Sequence, residues 1–313
     1  MNESRREGRY YLFALVTVVL WSTSASSVKT LTEGLSSLCV LGYSSLFASV
    51  FLLLLLFLRG QAGCLRTYGI REYGTLAGLG FLGMFLYSAL YYCGIDRLSS
   101  QEACILNYLW PMMIVVFSCL ILKEPFTGRK AGAVALSFSG VLLVALWGLF
   151  QGKGMFSGDG VGMVACVLAA MCYGLFCVLN KKMNLDQASG MAVFWGVTCV
   201  CAFLLCLIKG QMAVPSLAQL GGMIWLGIAV HGVPYLLWAI ALNGVGNTAR
   251  IADLAYLTPV LSVVISAVAL GESLSPVYLI ALILILGGIM LQIPGGEKRR
   301  SKKVEKVSQG FSR

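Results

Sequence analysis

Ten apolar stretches follow one another along this chain with only short polar breaks between them. They centre near Val19, Leu46, Leu82, Pro111, Ser139, Ala170, Cys199, Ala229, Pro259 and Leu284, and each runs for about 20 residues, the length a helix needs to cross a bilayer. Composition agrees: 58% of the 313 residues are hydrophobic and only 12% are charged, far too little polar surface for a soluble domain. Backbone groups in lipid must be satisfied within the segment. No ten-residue segments alternate with period two, so the spans read as helices and not as barrel strands. The fold class is all-α integral membrane.

Loop charge sets the expected orientation. With the amino terminus inside, 19 of the Lys and Arg residues fall on the cytoplasmic side, including Arg59, Arg66, Lys123, Lys130, Lys181, Arg250 and the tail from Lys298 to Arg313. Lys29, Arg97, Lys153 and Lys209 are the 4 on the other side. That bias predicts cytoplasmic termini in an inner, or plasma, membrane. The net charge of +10 then reflects topology and contact with the lipid bilayer, with no nucleic acid partner. A basic start and the following apolar run up to "STSAS" also resemble a signal peptide, but this helix has a counterpart in the second half. The 11 cysteines lie mostly inside apolar segments, where a thiol behaves as a small hydrophobe.

An internal repeat constrains the fold further. Sliding residues 87–143 onto 235–291 without a gap pairs Tyr87 with Tyr235, Tyr108 with Tyr256, Pro111 with Pro259, Ser118 with Ser266, Glu124 with Glu272 and Gly140 with Gly288. A weaker echo joins "LWSTSASSVK" (20–29) to "CYGLFCVLNK" (172–181). Five helices per unit is an odd number, so the copies cross the membrane in opposite senses: ten transmembrane helices in two inverted five-helix repeats. The expected units are 9–150 and 158–293, with a basic cytoplasmic tail at 294–313.

Inverted repeats are the architecture of alternating access, with a central site near the midplane between the halves. Pro111 in "NYLWP" and Pro259 in "AYLTP" lie near the centres of the fourth and ninth spans. Each proline deprives the carbonyl four residues back of its helical partner. The carbonyls of Asn107 and Ala255 are therefore expected to be free acceptors, with Pro111 and Pro259 as hinges. Two readings stay open for the prolines, a substrate path or simple packing kinks. The aromatics of the third and eighth spans (Tyr87, Tyr91, Tyr92, Tyr235, Trp238) fit either a site or an interfacial belt. Glu124 and Glu272, at helix ends, read as caps or gate contacts. Glu102 and Asp253, one to two turns inside their helices, are candidates for ion coupling, although Arg250 stands three residues from Asp253.

These features together resemble the EamA family of the drug/metabolite transporter superfamily. The resemblance rests on "LWS" in the first span, a polar-aromatic-Pro motif in the fourth, "YLTPVLS" (256–262) and "LGESLS" (270–275), and it extends from about Tyr10 to Gln292. Within the family, "LWST" with "EGL" (33–35), "NYLWP" after Glu102, Asn180-Lys181 and "TPVLS" are similar to bacterial aromatic amino acid exporters, whereas Asp253, Arg250 and "NGVGNTAR" (243–250) depart from that pattern. The resemblance implies a basket-shaped bundle around a cavity formed by helices 1, 3, 4, 6, 8 and 9, exporting a small-molecule substrate. A cavity lined by Trp21, Tyr87, Asn107, Tyr108, Trp110, Tyr235, Trp238 and Tyr256 would suit a flat amphiphile, with aromatic faces for its side chain and polar groups for its charged end. A different metabolite or a cationic drug is the alternative cargo.

A membrane-embedded enzyme would need paired carboxylates, a nucleophile with its base, or a metal cluster. One histidine (His231) and no HExxH or Walker-type loop speak against it. No metal, cofactor or ATP-binding subunit is expected, and transport would draw on an ion or substrate gradient. A receptor has no need for an inverted repeat. The expected assembly is a monomer or weak homo-oligomer.

Overall fold

A computed structural model describes residues 3–151, 158–183, 187–244, 251 and 254–292. Every regular element among them is helical. Ten helices account for the apolar stretches: α1 (Gly8–Thr32), α2 (Ser37–Leu58), α3 (Ile70–Arg97), α4 (Ser100–Ile121), α5 (Gly128–Gly148), α6 (Asp159–Lys181), α7 (Ser189–Ile208), α8 (Leu217–Trp238), α9 (Leu257–Leu270) and α10 (Pro276–Leu291). The first eight are long and apolar enough to cross a membrane unaided, and α9 and α10 are shorter. Arg250, Asp253 and the tail 294–313 lie outside the described residues.

Packing follows the repeat. α2 lies along α7 and α5 along α10, while α3 packs on α6 as α8 packs on α1. The α5–α10 seam shows why Gly140 and Gly288 match. A Cβ at Gly288 would stand 2.1 Å from Ser137 Oγ, and one at Gly140 would stand 2.7 Å from the Ala281 carbonyl oxygen. Each glycine thus lets the partner helix approach closer than any side chain permits.

Both prolines act where the sequence places them. α4 divides into Ser100–Asn107 and Trp110–Ile121, so the helix breaks just before Pro111. In the other half, residues 255 and 256 form a turn and regular helix resumes at Leu257, two residues before Pro259. Two further irregularities carry no such sequence sign. α3 is π-helical over Phe81–Leu86 and α8 over Trp225–Gly232, and a shift of 148 positions makes these segments overlap. Paired π-segments of this kind recur at functional sites.

Candidate functional site

The interrupted helices enclose a cavity of about 1350 Å³, ample for a metabolite with water. Its wall includes Trp21 from α1, Tyr87, Tyr91 and Tyr92 from α3, Asn107, Tyr108 and Trp110 from α4, Tyr173 from α6, Trp195 from α7, and His231, Tyr235 and Trp238 from α8. Seven of the eight side chains expected there line it. Tyr256 does not; it packs partly buried against the surrounding core.

The aromatic rings brace one another. Trp21 lies 5.4 Å from Trp238 and 6.1 Å from Tyr235, and Tyr173 lies 4.8 Å from Tyr87 and 5.3 Å from Trp110, centroid to centroid. Such pairs contribute about 0.5–1.5 kcal/mol each beyond their buried area, so the wall is held in shape by side chains from both halves. Asn107 Nδ2 donates to the Tyr87 hydroxyl at 3.2 Å, fixing the amide and leaving Oδ1 without a partner.

One sequence expectation is corrected here. The Ala255 carbonyl is not a free acceptor: it takes the Tyr108 hydroxyl at 2.9 Å and the Thr258 amide at 3.1 Å. The proline four residues on does withdraw its amide, but the break brings α4 close enough for Tyr108 to replace it. The first repeat thereby satisfies the acceptor that the second repeat exposes.

The two ends of the cavity differ. Tyr10, Arg59, Gln61 and Ile240 belong to the helix ends and loop on the side where α1 begins, so the cavity opens there. At the other end Lys29 Nζ donates to the carbonyls of Ile95, Asp96 and Leu98 at 2.7, 3.3 and 2.8 Å, tying α1 to the end of α3. The Glu272 carboxylate accepts from the amides of Ser100 at 2.7 Å and Gln101 at 3.3 Å, which closes the loop after α9 onto the positive start of α4. Gln101 Nε2 adds a bond to the Ser273 carbonyl at 3.2 Å.

Glu102, a candidate for coupling, lies off the cavity wall. Its carboxylate accepts from the Ser99 amide and hydroxyl, both at 3.1 Å, while the Ser99 hydroxyl accepts from the Glu102 amide. This reciprocal capping box starts α4 and belongs to the closed end. Asp253, the other candidate, falls outside the described residues. An ionisable group that does line the cavity, away from the mouth, is His231, stacked on Trp195 at 4.2 Å with Nε2 3.2 Å from the Tyr92 hydroxyl. A single histidine carries no motif, and its partners on α3 and α7 are far away in sequence. Its place in the middle of the longest α8 apolar run was the available signal.

Comparison with known proteins gives a consistent set of matches. The model of the EamA-like transporter family matches residues 8–146 and again 160–293. An aromatic amino acid exporter, YddG, of Salmonella typhimurium is 26% identical over 84% of this chain and 89% of its own length, and the YddG of Ancylobacter novellus is 26% identical over 67% and 72%. A probable terminal-alkyne amino-acid exporter of Streptantibioticus cattleyicolor is 26% identical over 90% and 92%. A crystal structure superimposes with a TM-score of 0.65 at 22% identity, covering 91% of this chain and 96% of its own.

Proposed function

This chain belongs to the EamA-like transporter family, and we propose that within it the chain exports amino acids with aromatic or similarly flat amphiphilic side chains across the inner membrane by alternating access. The observation that carries this reading is the aromatic-lined cavity, open at one end and tied shut at the other. Loop charge supports a cytoplasmic side for the open end and both termini, and on that orientation this conformation is the loading state. Side chains of the cargo lie against Trp21, Tyr87, Trp110 and Tyr173, and its polar end meets Asn107 and the hydroxyls. Release requires the Lys29 and Glu272 ties to break while the mouth at Arg59 and Gln61 narrows, with α4 and α9 bending at the breaks before Pro111 and Pro259.

Three similar proteins, two named as aromatic amino acid exporters and one as a probable terminal-alkyne amino-acid exporter, support the cargo class. A second reading, export of a cationic drug or amine, is favoured by one observation: aromatic faces crowd a wall on which no carboxylate is found among the described residues, and such faces attract cations.

Uptake of labelled amino acids and cationic amphiphiles into proteoliposomes tests both. Saturable transport of phenylalanine, tyrosine or tryptophan, reduced at least about tenfold in Trp110→Ala, is the expected result. Transport confined to cationic amphiphiles would replace the first reading by the second.

A further inference from the structure

Few polar atoms stay unpaired inside a protein, and a missing ligand is one ordinary reason when they do. Three such atoms belong to residues of the cavity wall: Asn107 Oδ1, which can only accept, Trp195 Nε1–H, which can only donate, and the Thr258 hydroxyl, which can do either. Ser45 Oγ and Ser266 Oγ are also unpaired but lie off that wall.

The unpaired donor has His231 stacked against it, with the ring planes 26° apart. The Tyr92 hydroxyl behind the imidazole stands 3.2 Å from its Nε2. With the imidazole proton on Nε2, His231 donates to the Tyr92 oxygen. Nδ1 is left as a lone pair, with no hydrogen bond among the described residues.

We propose that Trp195 and His231 form a carboxylate subsite, with Asn107 as the ammonium acceptor, so that the cavity selects zwitterionic α-amino acids over amines or acids that lack one of the two charges. This rests on the transporter reading above and names the groups that recognise its cargo. On binding, one carboxylate oxygen accepts from Trp195 Nε1–H. Nδ1 takes one proton from cavity water, drawn in turn from bulk solution, and the imidazolium donates it to the same carboxylate. No covalent bond other than N–H forms, and each molecule bound takes up one proton. Beside the imidazole stand the Tyr92 phenol from α3, the Trp195 indole from α7 and, four residues along α8, Tyr235. Farther along the wall are the Cys177 thiol and, at the mouth, Arg59. No Asp or Glu is found among the described lining residues to neutralise the imidazolium, so the carboxylate of the cargo supplies the counter-charge.

The test is binding of phenylalanine, leucine and alanine, each beside its decarboxylated amine and its deaminated acid, to the full chain in lipid nanodiscs at about pH 6 and 8. At least one amino acid is expected to bind about tenfold more tightly than either analogue, and more tightly at the lower pH. Trp195→Phe is expected to erase the preference over the amine, and His231→Gln the dependence on pH. Because the chain holds one histidine, isotope-labelled histidine reports directly on wild type purified with a histidine-free tag. The preferred amino acid should convert its signal from the Nε2–H form to imidazolium.

An imidazole signal that ignores every amino acid, or variants that keep the wild-type discrimination, would overturn the subsite. Continued amino acid uptake by proteoliposomes in that case would leave the transporter reading standing. Binding at His231 without transport of any cargo would do the reverse.

Discussion

The closed and open ends of this molecule are built from matched residues, yet they are in different states. Glu272 after α9 is bonded to two amides at the start of α4, while its counterpart Glu124, after α4, forms an exposed ion pair with Lys130 at 3.0 Å. Lys29 at the end of α1 holds three carbonyls, while Lys181, which ends the matching stretch of α6, is exposed. One set of residues thus occurs engaged at one end and disengaged at the other. A repeat that merely duplicated a structural element would show the same contacts twice. The difference is what alternating access requires of two similar halves.

Breaking the engaged end should have the largest effect. Glu272→Ala removes two charge-assisted bonds to the start of α4, and amide exchange over residues 98–103 is expected to quicken by about tenfold or more, as hydrogen–deuterium exchange would show. Lys29→Ala should loosen the end of α3 to a similar or slightly smaller degree, while Lys181→Ala leaves both ends as they are. The α5–α10 seam, alike in both halves, sharpens the comparison. Gly288→Ala forces a methyl group against Ser137, and an overpacking cost of about 1–3 kcal/mol should lower the melting temperature without favouring either end. Tyr108→Phe removes one of the two donors to the Ala255 carbonyl, and a loss of about 1 kcal/mol predicts transport slowed severalfold. Glu124→Gln should do least: a surface pair of this kind contributes about 0–1 kcal/mol, and exchange near Lys130 should barely change.

The sequence made the frame of the molecule readable because spans, loop charge and proline positions are local signals. Pro111 and Pro259 announce helix breaks within a few residues of where they occur, since a missing amide acts on its own turn. Gly140 and Gly288 announced a matched contact but not the helix each would meet. The cavity wall was legible where aromatic residues repeat, as at Tyr87 and Tyr235. It was not legible at His231, whose meaning depends on Tyr92 and Trp195 from other helices. The expectation of a free Ala255 carbonyl failed for the same reason, because its replacement donor, Tyr108, comes from the opposite repeat. Tyr256 shares its motif with Tyr108 but not its place on the wall.

The central claim, that one end opens as the other closes, is tested most directly by hydrogen–deuterium exchange on Glu272→Gln beside wild type, read at both ends in the same experiment. Faster exchange over residues 95–102 together with slower exchange over the mouth at 59–62 is the expected result. Faster exchange at the closed end with an unchanged mouth would show that the two ends move independently, and would contradict it.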